Sequence, residues 1–301
     1  MTVSRVLITG AGGFLGGSIA RVCRAEWPDA EIFGIDLREG TDSVQRSCDL
    51  ADAGAAAAIV REFQPDVLFH MAGATAGTDW HALWNANVLT LANVLDAIRD
   101  RQPECRVVVP GSAAEYGEWG PDEGPLDEGH ELRPSSPYGV SKVWQSVLAH
   151  SYAVRGSQVI VGRLFNLSGR GVPQQYVLGA VAAQLREIGT GERAPVISLG
   201  DISAVRDFVD VDDACDALLT LALHGTPGGV YNVCSGLPCS VGDAVDDLVR
   251  LSGTGARVEA MSREADRGGI SWSVGSNAKI ADETGWRPGT SFELSLKRML
   301  A

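Results

Sequence analysis

Short apolar runs alternate, through the first half of the chain, with longer stretches whose apolar residues recur every three or four positions. The runs near 3–9, 31–36, 66–70, 106–110 and 158–165 are brief and rich in Val, Ile and Leu, as buried strands are. The stretches near 14–26, 51–63, 80–100 and 138–154 have helical spacing, as in Leu15, Ile19, Val22 and Cys23 of the first. Strands alternating with helices predict the α/β class, a doubly wound parallel sheet with helices on both faces. Ligands of such sheets bind beyond the carboxyl ends of the strands. Gly10, Asp36, His70, Ser112 and Asn166 each fall at such an end.

Beyond Asn166, glycine and proline rise and the elements shorten. A helix near 212–223 and a strand at 230–233 are expected to return to the main sheet. The expected organisation is a nucleotide-binding domain over 1–165, with 206–234 partly returning to it, and a smaller C-terminal substrate-binding lobe over 166–301. The tract from Gly117 to Pro134, rich in proline and acidic residues, reads as a loop between Ser112 and Tyr138. It is either a mobile lid over the site or a solvated surface loop.

Composition narrows the class. With 301 residues and 45% hydrophobic content, the chain can build one large or two modest domains around a substantial core. A net charge of −13 without a basic stripe argues against a nucleic-acid partner. No apolar run approaches the roughly 18 residues of a membrane span. The start, MTVSRVLITG, runs straight into a strand and reads as lacking a signal peptide, so a cytoplasmic location is expected. Cys23, Cys48, Cys105, Cys215, Cys234 and Cys239 show no CxxC and no His pairing at metal spacing. They read as reduced thiols with no metal site, a Cys234–Cys239 disulfide being the minor alternative.

The first strand runs into Thr9-Gly10-Ala11-Gly12-Gly13-Phe14-Leu15-Gly16 and then a helix, the context a dinucleotide fingerprint needs. Gly10 allows the tight turn, Gly13 lets the backbone approach a pyrophosphate, and Gly16 lets the helix pack close to the strand. The helix N-terminus offers free N–H groups to the anion. Asp36, 20 residues past Gly16, would accept hydrogen bonds from the ribose hydroxyls of NAD and repel a 2′-phosphate. Arg38 beside it leaves NADP open. Further on, Tyr138 and Lys142 stand in YGVSK, with Ser112 26 residues upstream in GSAAEYG. Four apart on a helix, they share a face. An ammonium beside the phenol is expected to lower its pKa, so that it can move a proton near neutral pH. Ser112 would hold the same substrate oxygen.

With these residues in place, the chain resembles the extended short-chain dehydrogenase/reductases, the NDP-sugar epimerases, dehydratases and reductases, over essentially its whole length. The resemblance implies a Rossmann-type fold and a nucleotide-sugar substrate. It implies that Phe14, Leu15, Asp49, Leu50, Met71, Ala72, Gly73, Asn87 and Leu164 line the cofactor with the residues above, and that Lys142 reaches the nicotinamide ribose. Asn166, closing Arg163-Leu164-Phe165-Asn166, and Arg206, in RDFVDV, would meet the sugar diphosphate, with Arg267 on the same side. Thr75 is either a substrate contact or a turn residue. Helices 80–100 and 138–154 pair into a homodimer in this family; they carry Trp80, Trp84 and Trp144, which would otherwise be core. LGDISAVRDFVDVDDACDAL, GVYNVCSG and TGWRPGTSFELSLKRML look most like the GDP-6-deoxy-4-keto-mannose reductases.

Departures from the family pattern bear on the reaction. Dehydratases carry a Thr-Asp-Glu-like triplet where this chain has Ser112, Ala113 and Ala114, and methyl groups cannot do acid–base work. Glu115, one position on, is expected on the other face of an extended backbone as a solvated carboxylate. The 3,5-epimerase–reductases need a cysteine and a histidine, and 111–145 holds only His130. Of the arginine-rich stretch expected at 261–275, only Arg263 and Arg267 are present, with Trp272 among them. The expected function is NAD(P)H-dependent reduction of an NDP-4-keto-6-deoxyhexose. The alternative is an NAD-dependent 4-epimerase using the same residues. A cofactor-sensing protein without chemistry would lack part of the Ser-Tyr-Lys set, which is complete here.

Overall fold

The computed structural model describes residues 2–38, 42–75, 79–200, 202–260 and 270–301. Its strands are β1 (Arg5–Thr9), β2 (Glu31–Asp36), β3 (Arg46–Ser47), β4 (Val67–His70), β5 (Arg106–Ser112), β6 (Gln158–Leu164), β7 (Asn166–Ser168), β8 (Val196–Leu199), β9 (Val205–Asp210), β10 (Val230–Val233), β11 (Pro238–Ser240), β12 (Arg257–Ala260) and β13 (Trp272–Ser273). Its helices are α1 (Phe14–Glu26), α2 (Ala53–Phe63), α3 (Trp80–Trp84), α4 (Thr90–Arg101), α5 (Pro137–Val154), α6 (Val177–Gly189), α7 (Val211–His224), α8 (Val241–Ser252), α9 (Ala278–Thr284) and α10 (Phe292–Leu300).

Seven strands form one parallel sheet in the order β10-β6-β5-β4-β1-β2-β3. Side chains alternate between its faces. Val6 and Ile8 pack with α1 and α7, and Leu7 packs with α2 and α4. With both faces covered, β1 reads as an unbroken apolar run. A second sheet pairs β9 with β7, β11 and β13, and β8 pairs with β12. These strands, with α6, α8 and α10, surround a separate core that includes Leu178, Phe208, Val245 and Leu296.

The structure departs from the sequence reading in several places. Of the segment 206–234, α7 and β10 return to the main sheet, while β9 stays in the second one. The tract 117–134 is a largely exposed loop, as one of its two readings expected, but it is anchored at two points. Trp119 and Leu126 are buried, and Leu126 exchanges backbone hydrogen bonds with Val274 and Ser276 at 2.8 Å. The six cysteines are free thiols, so Cys234 and Cys239 form no disulfide. Among the described residues, no helix is long and apolar enough to cross a membrane, and no His, Cys, Asp and Glu cluster could hold a metal ion.

Candidate active site

At the carboxyl edge of the main sheet, a cleft of about 590 Å3 runs over the glycine turn, the ends of β2 and β4, and the segment 48–50. Gly10 sits at φ +63°, and a Cβ there would lie 2.6 Å from the Ala72 nitrogen. A Cβ on Gly16 would lie 2.0 Å from the Gly10 carbonyl oxygen, so α1 can start this close only with glycine at that position. No side chain caps α1 at Gly13, which leaves its first-turn N–H groups available to an anion in the cleft. This cradle, with an acidic residue across it, fits the pyrophosphate and ribose of a dinucleotide.

Asp36 ends β2, where its carboxylate accepts from the Gly12 N–H at 2.9 Å and the Leu37 N–H at 2.7 Å. Arg38, Asp49, Leu50, Met71, Ala72 and Gly73 line the same cleft, as expected. So do Gly12, Ile35, Leu37, Cys48, Ala86 and Thr90, which sequence reasoning missed. The only signal for these was their place within three residues of an expected contact. Phe14, Leu15 and Gly16 belong to the first turn of α1, and Leu164 is buried beside Ser112 in the β5–β6 register.

Asn87, expected at the cofactor, sits one layer behind the cleft. It is buried, in a π-helical turn between α3 and α4, rather than on the cleft wall. Its side chain accepts from the Ala74 N–H at 2.8 Å and donates to the Ala74 carbonyl and to Ser141 Oγ of α5. It therefore fixes the turn after β4 against the helix that bears Tyr138. His70 is structural. It bridges Thr9 Oγ1 at 3.1 Å and Thr90 Oγ1 at 3.5 Å. Burial, aided by the Lys142 charge, pushes its pKa down to about 3 and keeps it neutral.

Ser112, Tyr138 and Lys142 converge at the ends of β5 and the start of α5. Ser136 caps α5 by accepting from the Gly139 N–H at 3.0 Å, with Pro137 in the first turn. Ser112 is the hydroxyl side chain that faces the Tyr138 phenol. The expected activation of the phenol by Lys142 is not what the geometry gives. Lys142 is buried and donates from Nζ to the Pro110 carbonyl at 2.5 Å and to Gln145 Oε1. Burial lowers its pKa to about 8, against the opposing pull of Glu115. Burial raises the Tyr138 phenol to about 12, with the Ser112 hydrogen bond opposing and the charges of Tyr176 and Glu115 adding to the rise. A dry site disfavours both ions.

Glu115 also overturns its expectation. Residues 113–115 form a 3-10 turn, not an extended strand, and Glu115 is fully buried. It accepts from the Ser112 N–H at 2.7 Å, Ser146 Oγ at 2.9 Å and Arg163 Nη2 at 3.0 Å.

On the substrate side, Asn166 opens β7 and donates to the Asp207 carbonyl at 3.2 Å. Arg206, half-buried on β9, donates to the carbonyls of Val205 at 2.9 Å and Ile270 at 2.6 Å. Thr75 is exposed and accepts from Gln175 Nε2 at 2.9 Å, tying the turn after β4 to the second lobe. Arg267 lies outside the described residues. Trp80, Trp84 and Trp144 are exposed rather than core, with ring centroids 5.8 and 5.4 Å apart around Trp144.

Known proteins are similar to this chain in sequence and fold. The GDP-6-deoxy-D-mannose reductase of Pseudomonas aeruginosa is 30% identical over 99% of this chain and 96% of its own. The UDP-glucose 4-epimerase of Azospirillum brasilense is 27% identical over 94% and 87%. The structure of RMD from Pseudomonas aeruginosa complexed with NADPH superposes with a TM-score of 0.86 at 28% identity, over 99% of this chain and 97% of that one. The Thermus thermophilus UDP-glucose 4-epimerase complex with NAD gives 0.83 at 25% identity, over 98% and 97%. Residues 6–234 match the model of the NAD dependent epimerase/dehydratase family, and the chain belongs to that family of NAD(P)-dependent enzymes.

Proposed function

We propose that this enzyme reduces the C4 ketone of a nucleoside-diphosphate 4-keto-6-deoxyhexose with NAD(P)H. The observation that carries this reading is the Tyr138 phenol, facing Ser112 and raised by burial to about 12, so that it keeps its proton at neutral pH. Reduction needs that form, because the ketone oxygen must receive a proton as it becomes an alkoxide. The nicotinamide supplies the hydride. Tyr138 gives its proton to the ketone oxygen, and Ser112 holds that oxygen in place. Lys142, one turn along α5, is the cation of the site and reaches the nicotinamide ribose. Enclosure of both partners in one cleft makes the transfer effectively unimolecular.

The turn Gly10–Gly13 and the start of α1 hold the pyrophosphate, and Asp36 the adenosine ribose. Asn166, Arg206, Thr75 and Arg267 are the substrate-side residues. Ala113 and Ala114 leave no acid or base for dehydration. The 30% identity to GDP-6-deoxy-D-mannose reductase supports reduction and a GDP-linked sugar. The exposed Trp80, Trp84 and Trp144, with Val147 beside them on α5, support a homodimer through α3, α4 and α5.

The test is loss of NADH or NADPH absorbance with GDP-4-keto-6-deoxymannose, run beside the dTDP-4-keto-6-deoxyglucose analogue. Turnover of either establishes a 4-keto reductase and its base preference. A 4-epimerase is the second reading, favoured by Asp36, which suits NAD recycled within one turnover. If neither ketose is reduced and the purified protein carries bound NAD(H), the epimerase takes first place.

A further inference from the structure

The buried carboxylate of Glu115 lies directly behind the three reacting side chains, and the chemistry above gives it no part. It is 0% exposed, on a turn that follows β5. Its Oε1 accepts from the Ser112 N–H at 2.7 Å. Ser112 Oγ reciprocates by accepting from the Ala114 N–H at 3.2 Å, closing a capping box around the turn. Its Oε2 accepts from Ser146 Oγ, one turn past Lys142 on α5, and from Arg163 Nη2 and Nε on β6. Arg163 in turn lies 4.5 Å over the Tyr116 ring. A Cβ on Gly111 would come within 2.7 Å of Glu115 Oε1, so the strand end is cut to fit this carboxylate.

We propose that Glu115 is a positioning residue for Ser112, Tyr138 and Lys142: one carboxylate clamps the end of β5, helix α5 and strand β6 together and supplies the negative charge that Lys142 feels. A turn that needed only a cap could use an amide or a hydroxyl. A buried carboxylate with a buried arginine is costly to desolvate and strongly directional. The groups around Lys142 leave Glu115 as its source of negative charge. His70 on β4 is neutral, Tyr138 on α5 is protonated, Gln145 and the Pro110 carbonyl are uncharged, and Arg163 on β6 is a cation paired to Glu115 itself. Burial would discharge Lys142 near neutral pH, and Glu115 opposes it.

This inference rests on the catalytic roles proposed above, and its test separates the two. The chain has only three lysines, Lys142, Lys279 and Lys297, so carbon-13 labelling at the lysine ε position gives three resolvable NMR titrations, with Lys142→Met for assignment. No substrate is needed. In Glu115→Gln the Lys142 midpoint should fall by about one pH unit, the loss of a nearby opposite charge. The alkaline limb of kcat should move with it, while NADH affinity measured by fluorescence stays unchanged. An unmoved Lys142 midpoint overturns the proposal. Glu115→Gln leaves Arg163 buried without a counter-ion, so Glu115→Asp, which keeps the charge, is measured beside it. In Glu115→Asp the Lys142 midpoint should stay near that of the wild type, while the shorter arm releases Ser112 and kcat falls about tenfold or more at unchanged NADH affinity. A Lys142 midpoint in Glu115→Asp that falls to that of an unpaired buried lysine, or wild-type kcat, overturns the proposal. A wild type that turns over no 4-keto sugar refutes the reductase reading and leaves the NMR result to judge Glu115.

Discussion

Lys142 should make the stability of this protein rise with pH in a window where most proteins lose stability. Its side chain is buried, 6% exposed, and its pKa is lowered from the ordinary 10.5 to about 8, mainly by burial. Below the folded value both states carry the proton, and the fold bears the full cost of burying an ammonium. Between about 8 and 10.5 the unfolded chain still holds the proton while the folded chain has released it, so unfolding takes up protons and stability rises with pH. Above 10.5 the cost is gone. The whole difference is worth about 3 kcal/mol, with a slope of at most about 1.4 kcal/mol per pH unit. Other groups titrate in the same range, and comparison with Lys142→Met removes them. Urea unfolding followed by tryptophan fluorescence, at intervals from pH 7 to 10, should show the wild type gaining on Lys142→Met by about 2 kcal/mol or more across the range. Parallel curves would refute the reasoning, because they would place Lys142 in water or beside a stronger anion than Glu115.

Other outcomes follow from the same geometry. Tyr138→Phe should lower kcat by about 100-fold to 10,000-fold while NADH binding, measured by fluorescence, is unchanged; retained turnover would remove Tyr138 as the proton donor. Gly16→Ala places a Cβ 2.0 Å from the Gly10 carbonyl, and the displaced turn should weaken NADH binding with a stability loss of about 1–3 kcal/mol by thermal unfolding. Asp36→Ser removes the carboxylate that holds the Gly12 N–H at 2.9 Å and should shift the ratio of NADH to NADPH affinity toward NADPH, read by paired titrations. Trp84→Asp should turn a dimer into a monomer in sedimentation velocity, and a monomeric wild type would exclude the tryptophan face as an interface.

The centre of the main sheet was legible because both its faces are covered, which made β1, β2, β4, β5 and β6 plain apolar runs, while the edge strand β3, the exposed pair Arg46–Ser47, gave no such signal. The glycine turn was legible for a different reason: Gly10 and Gly16 stand where no side chain fits, and composition records that directly. What stayed hidden was burial of polar groups. Glu115 follows two alanines and precedes Tyr116, so period-2 alternation sent it outward. A three-residue 3-10 turn, closed by Ser112 and Glu115 themselves, rotates it into the interior instead. Its partner Arg163 lies 48 residues away and Ser146 31, distances at which no local pattern pairs them. The tract 117–134 is the exposed loop its composition suggests, and only its two anchors were hidden. Its prolines and acids have the composition of a loop, while Trp119 and Leu126 carry it into the fold.

The error about Lys142 has a more instructive cause. Helical spacing places a lysine on the same face as a tyrosine four residues earlier, but it does not say where a four-carbon arm will point. Here the ammonium takes the nearest acceptors, the Pro110 carbonyl at the end of β5 and Gln145 on its own helix. In a site this dry, hydrogen-bond satisfaction outranks a weak charge–phenol attraction, because an unpaired buried donor costs more than the attraction returns. The same dryness that keeps Tyr138 protonated also pushes Lys142 toward neutrality, so the site has one device for its acid and needs another for its cation. Glu115 meets that second need, and the position that alternation dismissed as surface is therefore the one on which the charge state of the site depends.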